Sequence, residues 1–162
     1  MSGKLNTILF ILVLSVQVIT ELTGAEITYH TMSELFSALF YLLVLLNIFP
    51  VILFMKKKFI LAILFSSLLW IALVPYQIYG LRKLILLKTE SANITGYVYR
   101  YKINTGYYPE NLDDYPFSYP HLKNNIHYKT TNDDFSLSYH VLLRSTSHFY
   151  SSDDPKWHYY PD

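Results

Sequence analysis

Apolar residues run unbroken for the thickness of a bilayer at several places in the first half of the chain, and nowhere in the second. A hydrocarbon core takes roughly 20 residues of helix. Residues 5–20 are apolar except for a few amides and hydroxyls, among them Gln17, and the stretch can extend past Glu21 to residue 23, before Gly24. Residues 35–55 are interrupted by Asn47 and Pro50, and residues 59–79 by Ser66, Ser67, Pro75 and Gln77. The pattern predicts three transmembrane helices over these ranges. Pro50 and Pro75 should bend their helices or mark their ends, because each lacks a backbone donor. No charged residue or histidine is expected deep in a span, which argues against a pump or transporter. Gln17, Asn47, Ser66 and Ser67 are expected to join helix to helix by hydrogen bonds.

Beyond Tyr79 the pattern shortens. Residues 80–88 read GLRKLILLK, fit to lie along an interface or to prolong the third helix. In residues 90–104, Ile94, Tyr97, Val98 and Tyr101 fall on one helical face, while Tyr97, Tyr99, Tyr101 and Ile103 alternate as a strand would. Thr105-Gly106 suits a helix end with Gly in the left-handed region. Residues 110–115 suggest a short helical turn, and Pro116 and Pro120 a loop. Strands are expected at 126–130, 135–143 and 148–151, with turns at Asn132-Asp133-Asp134 and Asp153-Asp154-Pro155. A sheet of about three strands needs a covering element to be stable. That need tilts residues 90–104 toward helix. The expected division is a membrane domain over residues 1–88 and a polar α+β domain over residues 89–162.

Charge sets a direction. Residues 24–33 carry Glu26 and no Lys or Arg, whereas Lys56, Lys57 and Lys58 form a basic cluster between two spans. The positive-inside rule keeps that cluster and the N-terminus, with Lys4, in the cytoplasm. Three crossings then put the C-terminal domain outside. Arg82, Lys83 and Lys88 weigh mildly the other way. The first apolar stretch is long for a signal peptide and lacks an A-x-A cleavage pattern, so it is read as retained. With a net charge of +1 and no basic patch, nucleic acid is not an expected partner. The chain has no cysteine, which excludes disulfides and thiolate sites.

Tyr101, Gly106, Tyr108, Pro109, Leu112, Ile126, Tyr128, Phe135, Leu137, Tyr139, Tyr150, Ser151 and Trp157 form a pattern over roughly residues 90–158. It resembles the globular domain of type II secretion pseudopilins and related type IV pilin-like proteins. The resemblance implies a long helix followed by a small antiparallel sheet, a bacterial envelope setting and an interaction module. It also implies Asp153 and Asp154 as calcium candidates, against a solvated turn. The pilin leader, cleavage site and early glutamate have no counterpart, so processing and polymerisation as a pilin are not expected.

Candidate chemistry changes this picture little. His127 and His140 can meet on neighbouring strands, yet no zinc-ligand spacing is present. The paired aspartates sit in turns, where Asp bonds its own backbone. Ser145, Ser147 and His148 do not form a nucleophile elbow. No enzyme and no cofactor is expected. Twelve of the 16 tyrosines lie beyond residue 90. Tyr107, Tyr108, Trp157, Tyr159 and Tyr160 are expected to face a partner or the interface, since aromatic residues supply rigid contact area. The function expected is a non-enzymatic bacterial inner-membrane protein with a periplasmic module that binds another envelope protein. Immunity, anti-phage defence and a secretion or pilus accessory role all fit, and homo-oligomers are compatible. A channel or pore-forming effector is the alternative.

Overall fold

Apolar surroundings offer peptide groups no partner, so the first half of the chain folds as helix wherever it can. The computed structural model describes residues 3–131, 133–144 and 146–161, and of Leu69 and Ala72 only the backbone. Asn132 of the expected turn and Ser145 therefore lie outside the described residues. The helices are α1 (Gly3–Thr31), α2 (Glu34–Leu46), α3 (Ile48–Met55) and α4 (Phe59–Thr105). Three helical stretches, Gly3–Thr31, Glu34–Met55 and Phe59–Thr105, are long and apolar enough to cross a membrane. The described chain divides into two units. One holds residues up to Tyr29 and Glu34–Tyr79; the other holds His30–Ser33 and the residues from Gly80 onward.

In the first unit, α1 does not stop at Gly24. A Cβ there would overlap the Gln77 amide, so Gly24 leaves room for that α4 side chain and does not terminate α1. The break between α2 and α3 falls at Asn47, one turn before Pro50. Proline has no N–H for the carbonyl of residue 46 and its ring collides with it. Pro50 is therefore seated in the first turn of α3, where the missing donor costs nothing. Pro75, by contrast, lies inside continuous α4. After α3 the amide of Lys58 bonds the Leu53 carbonyl at 2.9 Å and that of Lys57 the Phe54 carbonyl at 2.9 Å. This is a Schellman turn with Lys57 in the left-handed position at φ 57°. Phe10 of α1 stacks on Phe54 of α3, centroids 4.2 Å apart.

In the second unit, α4 runs on to Thr105 and ends at Gly106, φ +88°, whose amide bonds the Lys102 carbonyl at 2.8 Å. Leu84, Leu87, Ser91, Ile94 and Val98 follow a three-four spacing and are all buried. A 3-10 helix at Pro120–Asn125 then leads into β1 (Ile126–Thr130), β2 (Phe135–Tyr139), β3 (Ser147–Ser151) and β4 (His158–Tyr160). The sheet has four antiparallel strands in the order β1-β2-β3-β4, one more than the pattern predicts. β4 is too short to show alternation, and its pairing of Tyr159 with His148 defines it. β2 is also shorter than expected: the His140 amide still bonds the Asn125 carbonyl in register, but the Leu142 amide turns to the Thr31 carbonyl. Residues 110–115 form turns and no helix.

Register decides what each strand buries. Leu137 pairs with Tyr128 and Tyr150, and Tyr139 with Ile126 and His148, on the face that joins the α4 stripe in one core. His127, Ser138, Phe149 and His158 cross the opposite face in one row. Leu137→Ala should lower stability by about 2–5 kcal/mol, the usual range for a buried Leu. Ser136→Ala, on the opposite face, should stay within about 0.5 kcal/mol. Denaturation of the detergent-solubilised chain, followed by near-ultraviolet circular dichroism, checks both; equal effects would contradict the register.

Candidate functional site

Gln17 and Glu21 are four residues apart and so share one face of α1. Both are 3% exposed. The Gln17 amide donates to one Glu21 oxygen at 3.0 Å, and the Asn47 amide donates to the other at 2.5 Å. Asn47 Nδ2 also lies 3.2 Å from the Val44 carbonyl and 3.5 Å from that of Leu43. One side chain thus closes the helix break and holds the carboxylate. Glu21 falls inside the expected first span of residues 5–23, and because α1 continues to Thr31 it is a buried mid-helix residue, which the expectation of spans without deep charged residues did not include.

Gln17 and Asn47 therefore bond a carboxylate between helices. Ser66 is 1% exposed, and its hydroxyl, the Gln17 carbonyl oxygen and the Asn47 carbonyl oxygen have no partner among the described residues. Ser67 donates to the Ile63 carbonyl of its own helix at 2.9 Å, so its hydroxyl does not tie helix to helix. Gln17, Ser66 and Ser67 line a cleft of about 210 Å³ with Leu12, Val16 and Trp70. A carboxylate in such a place binds neutral donors or a cation, and intramembrane ionisable groups mark functional positions.

The second unit gathers its chemistry on the sheet. Trp157 and Tyr160 are 40% and 52% exposed and Tyr107 is 56% exposed, whereas Tyr108 is 7% exposed. Tyr108 packs on Phe135 at 5.0 Å, inside the core and away from any surface. Tyr159 is half-buried, with its ring 4.9 Å from His30 and 4.7 Å from His148. The His148 ring stacks on Tyr139 at 4.6 Å, and its Nε2–H donates to the His30 carbonyl at 3.0 Å. Burial lowers the His148 pKa, and that bond acts against the shift. Burial raises Tyr139, and raises Tyr150 together with its 3.0 Å contact to the Tyr99 hydroxyl.

Asp154 meets His158 at 2.8 Å. Asp153 instead neighbours Asp134; a hydrogen bond between the two carboxyls and then the Asp134 charge raise it, while Ser152 donates to Asp134 and lowers that carboxyl. Among the described residues no three His, Asp or Glu side chains converge as metal ligands. Inside the core, Glu90 accepts the Ser118 amide at 3.0 Å. Burial first, and then the Glu90 charge, push the Tyr115 phenol up to about 12. His127 and His140 do meet, with rings stacked at 5.4 Å, and Arg144 joins them around one cavity. The histidine pairing follows from strand alternation. Arg144 lies in irregular chain and gave no periodic signal. No protein-family model, curated protein or solved structure matches the chain.

Two outcomes follow. A double-mutant cycle of Glu21→Ala and Asn47→Ala should give a coupling of about 0.6 kcal/mol, the average for hydrogen bonds between membrane helices, and at most about 1.7 kcal/mol; a coupling of zero would remove the bond. The folded pKa of His148 lies below its unfolded value of about 6.5, so the unfolded chain binds more protons in that window. Its contribution to stability is complete above about pH 6.5 and is lost as pH falls through the lowered folded value. Melting of the second unit should therefore move to lower temperature from pH 7.5 to 5, with a smaller move in His148→Gln.

Proposed function

We propose that the chain is a non-enzymatic inner-membrane protein that presents a protein-binding module on the outer side of the membrane. The observation that carries this reading is the sheet edge at β4. The core of the second unit is already filled by α4 and the inner sheet face, yet Trp157 and Tyr160 remain exposed beside it. Large exposed aromatics on a polar surface are the residues that anchor protein interfaces. A three-residue edge strand also leaves backbone groups open to strand addition. The partner class is another envelope protein, in an immunity, defence or secretion-accessory setting.

Orientation rests on the lysine turn. Lys57 occupies a left-handed position that glycine fits best, and an L-residue there costs about 1–2 kcal/mol. A basic side chain kept at that cost fits a charge role, and the positive-inside rule supplies one. The long α4 with a small antiparallel sheet on its C-terminal half supports the pilin-like reading of the second unit. That reading implies interaction and not catalysis.

A second reading, an assembled pore, is favoured by the Glu21 cluster and the cleft lined by Gln17 and Ser66. In that case Glu21→Gln would change ion flux in vesicles, whereas the module reading predicts no flux in either form.

A photo-cross-linking residue placed at Tyr160 of the full chain in cells should yield a discrete adduct with another envelope protein. Trp157→Ala should reduce that adduct at least fivefold. No adduct at position 160, or one undiminished by Trp157→Ala, would remove the β4 edge as the binding surface.

A further inference from the structure

The cavity on the outer sheet face has an unbalanced charge. It measures about 290 Å³ and is lined by His127, Ser138, Tyr139, His140, Arg144 and Ser147. Its side chains are two imidazoles, one guanidinium, two aliphatic hydroxyls and a phenol, with no carboxylate among them. Register explains the gathering. His127 on β1 faces Ser138 on β2, and His140 follows β2 directly, so the two imidazoles stack at 5.4 Å. Ser147 opens β3 at the same end of the sheet.

No carboxylate lines this cavity; His127 and Arg144 also border a neighbouring cleft that holds Glu110 and Asp113. Lys123 pairs with Asp113 and His158 with Asp154, and Arg144 is in neither pair. Lys83 of α4 adds to the field. After burial, the charges that act on His140 are those of His127, Lys83 and Arg144, all of one sign, and all push its pKa down. Like charges held together this way are stabilised by a bound anion. Arg offers a planar fork of donors that matches phosphate oxygens, and serine hydroxyls and imidazole N–H groups complete such a site. The volume lies at the lower end of the range for small-ligand sites, roughly 300–1,000 Å³. It suits a headgroup-sized ion more than a larger ligand.

We infer that His127, His140 and Arg144, with Ser138 and Ser147, form a binding site for a phosphate ester or phosphate oxyanion. The inference does not depend on the partner-binding reading. Two sources carry this chemistry, a phospholipid headgroup and a soluble phosphate.

The test uses the full chain in an uncharged maltoside detergent, titrated calorimetrically with inorganic phosphate and, separately, with dihexanoyl phosphatidylglycerol below its micelle concentration. Saturable binding of either probe is expected. Arg144→Gln and His140→Gln should each weaken it at least tenfold, and Lys156→Gln, at an exposed position outside the cavity, should leave it within twofold. Phosphate binding identifies a soluble anion as sufficient; binding of the lipid alone identifies the headgroup. Arg144 is exposed, so its variant tests the site even if His140→Gln misfolds. Failure of both probes to saturate, wild-type binding by Arg144→Gln, or equal loss in Lys156→Gln would overturn the inference.

Discussion

A peptide group in an apolar layer has no water to fall back on, and every departure from helix must be made good by a neighbour. That constraint bears most directly on the break inside the second apolar stretch, and the helix ends outside the apolar stretches are closed in the same way. The break forced by Pro50 is closed by Asn47, whose side chain reaches the carbonyls of Leu43 and Val44. The turn after α3 is closed by the amides of Lys57 and Lys58. The last carbonyls of α1, at His30 and Thr31, accept the His148 side chain and the Leu142 amide. Each repair recruits a residue for the backbone, and two of them, Asn47 and His148, also define the chemistry nearby.

Polar side chains obey the same rule less completely. Glu21 has both oxygens bonded by amides, while Ser66 and one oxygen each of Gln17 and Asn47 have no described partner. A fully satisfied cluster would be a fastener. A partly satisfied one has capacity left over, and this is where the first unit can do more than hold its helices together. The second unit shows the same contrast on its surface. Its inner sheet face is closed by aromatic packing from Tyr139 through Tyr150 to Phe135. Its outer face keeps His127, His140 and Arg144 around an open cavity.

What the sequence revealed depended on how local the cause was. The apolar stretches, the Gly106 helix end and the first strand at Ile126–Thr130 are decided by a few adjacent residues, and all could be read. The Ile94 and Val98 face could be read as well, though not its extension back to Leu84, because the apolar run of residues 80–88 has no polar face to set a period. Gly24 looks like a stop and is a contact with Gln77, and that difference lies entirely in another helix. β4 exists through its register with β3, and three residues carry no period of their own. Tyr108 looked exposed beside Tyr107, and only the packing of Phe135 shows that one of the pair is buried.

The central claim is that the chain crosses the membrane three times, leaving the lysine turn on one side and the sheet on the other. The chain has no cysteine, so single cysteines introduced at Lys57, Leu45 and Ser152 report without background. Intact spheroplasts treated with a membrane-impermeant maleimide give the reading directly. The account predicts labelling at Ser152→Cys, labelling at Lys57→Cys only after lysis, and protection of Leu45→Cys in both cases until detergent is added. Labelling of Lys57→Cys and Ser152→Cys from the same side would contradict it.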